Sequence, residues 1–182
     1  MSKGFTMSSK FTVRKLDSCD YEQVQQLADI LVDCVGGGAS VSFMQPFARH
    51  RAVAYWNSVA ESVHMEERAL LVAEDEQGLC GTVQLLLSLP ENQPHRADVA
   101  KMLVHRRARK QGVATALMQQ IEKTAHENLR TLLVLDTVTN SDAARLYEKL
   151  GWVKVGDIPN FALYPQGGYC STTYYYRDLG SV

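Results

Sequence analysis

None of the four cysteines, Cys19, Cys34, Cys80 and Cys170, stands in a C-x-x-C pair, and they are spread over the whole chain. That spacing fits free thiols in a reducing compartment better than a disulfide framework or a zinc site. The five histidines are equally scattered, and no H-E-x-x-H occurs, so no metal is expected. No apolar run is long enough to span a bilayer, and the first ten residues lack the apolar core of a signal peptide. The expectation is a cytoplasmic protein with no membrane partner. Excess charge is missing too. At a formal net charge of −1 nothing global points to nucleic acid, and the basic residues cluster only at His105-Arg106-Arg107-Ala108-Arg109-Lys110.

What remains is an ordinary globular composition with no repeat and no low-complexity linker. We expect a loose segment over residues 1–10 and one domain over 11–182. Phe11 to Arg14 reads as a strand. Asp20 to Cys34 reads as a helix, because Val24, Leu27, Ile30 and Leu31 recur at helical spacing, and Gly36-Gly37-Gly38 stops it. A second helix is expected from about Pro46 to Glu67, with Pro46 in its first turn. Strands follow at Ala69 to Glu74, Cys80 to Leu87 and Ala97 to Val104, then a helix from Gly112 to His126 with Val113, Leu117, Ile121 and Ala125 inward. Thr131 to Asp136 is a buried strand, Asn140 to Leu150 a short helix, and Trp152 to Ile158 and Thr172 to Leu179 the last strands. A long loop with Pro159, Pro165, Gly167 and Gly168 separates those two. Strands with helices between them, plus two hairpin-like pairs, mean a mixed α/β sheet.

Two segments carry chemistry. Arg109-x-x-Gly112-x-Ala114 lies between a strand and a helix. The first N–H groups of a helix lack partners and the dipole there is positive, which suits a diphosphate; Gly112 and Ala114 let the backbone approach it. A plain turn with solvated basic residues explains the same six residues. A Walker loop is excluded because Gly112 is followed by Val113. The second segment is Asn140-x-x-Ala143-x-x-x-Tyr147-x-x-x-Gly151-Trp152. Helical geometry puts Ala143, Leu146, Tyr147 and Leu150 on one inward face. In isolation Tyr147 reads more simply as a core tyrosine.

Together, VHRRARKQGVATALM (104–118) and LVLDTVTNSDAARLYEKLGW (133–152) resemble the core motifs of the GNAT N-acetyltransferases. The resemblance implies the GNAT fold: a central splayed mixed sheet of about seven strands flanked by about four helices. It also implies acetyl-CoA as co-substrate, no metal, and a reaction at a primary amine. Its pantetheine arm would pair with Met102, Leu103 and Val104, and its phosphates would meet Arg109, Lys110, Gln111, Gly112, Val113, Ala114 and Thr115. Asn140 is expected to contribute as well. Ala114 stands where the family often has glycine.

A primary ammonium is neutral only about once in 2,500 molecules at pH 7, so a carboxylate must take its proton. Asp98, on a strand face expected to hold Ala100, Met102 and Val104 also, is one candidate; Asp136 is the other. Either could instead cap loop N–H groups. Tyr147 would protonate the leaving thiolate, and the N–H of Leu103 or Val104 would face the developing oxyanion. Within the family, Gly36 to Met44 and Arg96 to Val104 resemble the tabtoxin-resistance type, which implies a small-molecule amine acceptor. Its pocket is expected between loop 36–45 and loop 159–171, at Ser40, Phe43, Met44 and Tyr164. Both loops could equally cover the sheet edge or pack on a second copy in a homodimer. The alternatives are a protein or peptide N-acetyltransferase and a silent acyl-CoA sensor. Trp56 and Tyr55 could border the pocket, though packing explains them as well.

Overall fold

A computed structural model describes residues 10–180; the expectation of a loose start falls, for residues 1–9, outside the described residues. Seven strands and four α-helices follow one another as β1 (Thr12–Leu16), α1 (Tyr21–Gly36), α2 (Arg49–His64), β2 (Arg68–Asp75), β3 (Gly78–Leu86), β4 (Arg96–Val104), α3 (Val113–Glu127), β5 (Leu132–Val138), α4 (Asp142–Lys149), β6 (Val153–Leu163) and β7 (Tyr169–Asp178). The sheet order is β1-β2-β3-β4-β5-β7-β6. Only β4 and β5 run parallel. This is the mixed α/β architecture expected from the sequence. None of the helices is long and apolar enough to cross a membrane.

Local chemistry sets the helix ends. Asp20 caps α1 in a reciprocal box: the Gln23 N–H donates to Asp20 Oδ1 at 2.8 Å and the Asp20 N–H donates to Gln23 Oε1 at 3.0 Å. The glycine triplet ends α1 as expected, with Gly37 as C-cap. Pro46 does not start α2. It lies in the preceding loop after a cis peptide bond, and the helix begins at Arg49 behind an Ala48 cap that offers no side-chain acceptor.

Each face of the sheet carries its own core. Leu117, Met118 and Ile121 of α3 and Tyr147 of α4 pack with Leu71, Val83, Val99, Leu133 and Tyr175. Leu27, Ile30 and Leu31 of α1 and Trp56 and Val59 of α2 pack with Leu70, Val72 and Leu103. Burying side chains of this size contributes about 1.5–3 kcal/mol each.

Two departures from the sequence reading matter for function. First, the connection expected between β6 and β7 is mostly strand. β6 runs on through Pro159 to Leu163, and the chain turns back over residues 164–168. β6 lies at the sheet edge, where a proline deprives no neighbour of a ladder bond. Second, β4 does not alternate evenly. Opposite β3, Thr82 pairs with Leu103 but Gln84 with Ala100, so β4 holds one extra residue. Lys101, at φ 51°, lies in that bulge. The faces therefore exchange there. Val99, Met102 and Val104 meet the α3 core, whereas Leu103 joins the α1/α2 core. Asp98 and Ala100 do not share a face with Met102 and Val104.

Gly81 permits the close approach of α3. A Cβ there would lie 2.9 Å from Val113 Cγ1 and 3.2 Å from the Leu103 carbonyl oxygen. Gly81→Val should therefore lower stability by about 1–3 kcal/mol through overpacking, read as a lower urea midpoint at unchanged slope. An unchanged midpoint would mean that α3 is not seated on this strand.

Candidate active site

Between β4 and α3 the chain forms a short 3-10 turn, Arg106–Ala108, then the loop that leads into α3. Half of its positive charge is already paired. Arg106 is ion-paired with Asp33, and Arg107 with Asp75. The His105 ring caps the 3-10 turn, its Nδ1 accepting the Arg107 N–H at 3.2 Å. Arg109 and Lys110 remain exposed beside the helix start. Arg109 Nε donates to the Val104 carbonyl at 3.2 Å, and Gln111 Nε2 to the Arg107 carbonyl at 3.0 Å. Gly112 is the N-cap of α3 at φ 86°, and no side chain caps the helix. Nothing lies within 4 Å of the place a Cβ would take on Gly112. The N–H groups of the first turn, at Val113, Ala114 and Thr115, have no intrahelical acceptor at a positive helix end, and the space beside Gly112 is open. The donor chemistry and the room fit a diphosphate.

Asn140 lies apart from that turn in sequence, exposed at φ 60° before α4. Its carbonyl accepts a bond from Arg145 Nη1 at 2.9 Å, while Ser141 caps α4.

Beside α3 the sheet opens. β4 pairs with β5 only at Arg96/Leu132, Ala97/Leu133 and Asp98/Val134. Beyond those pairs both strands continue, β4 to Val104 and β5 to Val138, without pairing each other. The His105 N–H donates to the Cys80 carbonyl at 2.9 Å. By strand alternation the Val104 N–H then points away from β3, into the opening. Of the two N–H groups expected to face an oxyanion, Val104 is the one so directed.

Tyr147 borders this opening from α4. It is 5 % exposed, and its ring lies 5.9 Å from that of Trp152 and 6.0 Å from that of Tyr175. Among the described residues its hydroxyl has no hydrogen-bond partner. Burial pushes the phenol well above the usual tyrosine range, and the charge of Asp136 adds to the shift. The group therefore keeps its proton until a basic atom arrives.

The two carboxylates differ. Asp98, at the last paired position, is ion-paired with Arg96. Asp136 lies two residues past the last β5 pair and accepts a bond from Thr172 Oγ1 at 2.7 Å. Its charge reaches Tyr147, Lys101 and Tyr174.

Loop 36–45 and the β6–β7 hairpin touch directly. Ser40 Oγ donates to the Leu163 carbonyl at 2.9 Å, and the Gln45 N–H to the Pro165 carbonyl at 2.8 Å. Phe43 packs on Phe47 and Tyr55, with centroids at 4.6 and 5.4 Å. Met44 and Tyr164 remain partly exposed beside them. Trp56 is fully buried, so packing is its role.

Sequence reasoning missed a polar group on the α1/α2 face. Gln84 is fully buried; its Oε1 accepts from Arg68 Nη1 at 2.6 Å, and its Nε2 donates to the Tyr55 hydroxyl at 3.1 Å. Lys101 Nζ donates to Ser42 Oγ at 3.1 Å. The available signal was a glutamine and a lysine inside otherwise apolar strands. Among the described residues no group of three His, Cys, Asp or Glu side chains is placed to hold a metal ion.

The sequence model of the acetyltransferase (GNAT) domain matches residues 66–154, a span that includes the loop before α3, the opening and Tyr147. An uncharacterised N-acetyltransferase from Azospirillum brasilense is 28 % identical over 127 residues, 69 % of this chain and 74 % of that protein. The chain is thus similar to acetyltransferases of the GNAT type. Solved structures share the fold of the enzyme at low identity. An N-acetyltransferase from Staphylococcus aureus Mu50 superposes with a TM-score of 0.78 at 18 % identity, over 94 % of this chain and all of that one. A protein from Salmonella typhimurium, solved with its cofactor acetyl-CoA, superposes with a TM-score of 0.76 at 16 % identity, over 94 % and 95 % of the two chains.

Proposed function

We propose that the enzyme transfers the acetyl group of acetyl-CoA to a primary amine of a small molecule, by direct attack and without a covalent enzyme intermediate. The observation that carries this reading is the unpaired opening between β4 and β5. It runs from the uncapped start of α3, suited to phosphates, to Tyr147 and Asp136. Its unpaired strand edge offers the backbone of Met102 and Val104 to an amide-bearing arm, while Leu103 between them turns its backbone to β3. The donor supplies an activated thioester carbonyl. A nitrogen–carbon bond forms as the carbon–sulfur bond breaks. Val104 N–H faces the charge that develops on oxygen, Tyr147 hands its proton to the departing sulfur, and Asp136 receives the amine proton, directly or through water. Asp98 is the weaker base in this reading because Arg96 engages it.

A small acceptor is supported by the contact between loop 36–45 and the β6–β7 hairpin, which ties together the segments that carry Ser40, Phe43, Met44 and Tyr164. Gly36 to Met44, together with Arg96 to Val104, also resembles the tabtoxin-resistance type. Free cysteines are in keeping with a reducing, cytoplasmic setting.

Acetyl-CoA should raise the melting temperature of the wild type. Gly112→Glu places a negative side chain at the helix start and should abolish that rise. Gly112→Ala carries the same positive-φ strain, about 1–2 kcal/mol, without the charge and should keep most of the rise. Equal rises in the two variants would refute a phosphate site here.

Tyr147→Phe keeps the ring and removes the acid. Its kcat should fall about ten- to a thousand-fold with acetyl-CoA affinity little changed, measured where chemistry limits turnover. An unchanged kcat would make Tyr147 a packing residue only. A protein that binds acetyl-CoA but never releases CoA across an amine panel would be the silent sensor.

Asp136→Asn should reduce kcat/KM about a hundredfold below the amine's pKa and recover in part above it, where solvent already supplies the neutral amine. Asp98→Asn should give a pH profile parallel to the wild type. Reversal of the two profiles would assign the proton to Asp98.

A further inference from the structure

Arg68 opens β2 on the face of Leu70 and Val72, toward α1 and α2. The buried Gln84 amide fixes one end of its guanidinium, while its Nε is buried with no hydrogen-bond partner. Lys101, thrown out by the β4 bulge, reaches Ser42. The two cations belong to one neighbourhood: Ser42 adjoins Phe43, Phe43 packs on Tyr55, and Tyr55 shares the Gln84 amide with Arg68. Other arginines here, Arg14, Arg49, Arg96, Arg106 and Arg107, have carboxylates to pair with. Among the described residues, Arg68 and Lys101 form no ion pair. Burial, mainly, holds the Lys101 ammonium below the usual lysine range; Arg68 acts in the same sense and Asp136 against it. Two half-buried like charges with no carboxylate ion-paired to either destabilise a fold, so their juxtaposition points to a ligand that supplies one.

We infer that Arg68 and Lys101 form a carboxylate subsite, so that the acceptor joins a primary amine and a carboxylate in one small molecule, as an amino acid does. A guanidinium presents its N–H groups in a fork that matches a carboxylate, and an ammonium adds a point charge. Asp136, whose charge Lys101 feels together with that of Arg68, stands toward the opening where the amine must react. Phe43 and Tyr55 supply aromatic surface beside the site. The inference rests on the reading that the β4–β5 opening is where acetyl transfer takes place.

The test pairs L-methionine, L-glutamate, L-tryptophan and L-lysine with their primary amides. Each is titrated calorimetrically into the CoA-saturated protein and assayed for CoA release with acetyl-CoA. At least one free acid should bind tenfold or more tightly than its amide. Arg68→Met or Lys101→Met should erase that preference, and Arg68→Lys should restore part of it. The melting rise with acetyl-CoA should be unchanged in all three, which also shows that they fold. If a variant does not fold, the wild-type comparison of acid with amide decides alone. Equal binding of acids and amides, no binding of any acid, or loss of the acetyl-CoA response in folded Arg68→Met would overturn the subsite. Acids that bind but are never acetylated would leave the subsite standing and overturn the proposed transfer. Amides acetylated as fast as acids would do the reverse.

Discussion

The proposed site depends on where β4 stops pairing with β5. A parallel ladder that continued past Asp98 and Val134 would consume the strand edge and close the sheet. Because it ends there, polar backbone of β4 is left unpaired in the middle of the molecule, which a stable fold tolerates only where water or a ligand can satisfy it. The two strands can part because each is held from its other side, β4 by β3 and β5 by β7. The opening is thus a rigid gap between two well-supported half-sheets.

The helices then give the two sides of the gap different chemistry. α3, seated close over Gly81, brings an uncapped positive helix end to one side. α4 brings a phenol whose buried surroundings keep it protonated. On the opposite face α1 and α2 leave a polar neighbourhood built around Gln84, Arg68, Lys101 and Tyr55. The basic cluster after β4, which reads in sequence as a concentration of positive charge, is largely structural. Asp33 and Asp75 neutralise Arg106 and Arg107 and fix the loop that presents Gly112.

Much of this was legible in the sequence, and for physical reasons. Helical spacing in α1 and α3, the glycine stop after α1, and the continuous apolar run of β5 are local signals, and the structure follows them. Pro46 misled because proline suits a loop before a helix as well as a first turn. Pro159 misled in the opposite direction: a proline argues against a strand only when that strand has neighbours on both sides, and β6 is an edge. The faces of β4 were misassigned because alternation presumes an even register, and nothing in the string RADVAKMLV announces an extra residue. Arg68, Gln84 and Lys101 were passed over because each lies alone in sequence; only cross-strand register and the loop before α2 bring them together.

The bulge at Lys101 has a further consequence, for how such a strand can change over time. Before it, Asp98 and Ala100 look toward the α1/α2 face; after it, Met102 and Val104 look toward the α3 core. A substitution within 97–104 alters one face at one point. An inserted or deleted residue would exchange the faces of everything beyond it, turning Leu103 out of its core and pushing Met102 and Val104 into the wrong one. This strand is therefore more tightly constrained in length than in composition, its buried positions Ala97, Val99 and Leu103 apart, and new specificities can arise on it only by replacing side chains in place.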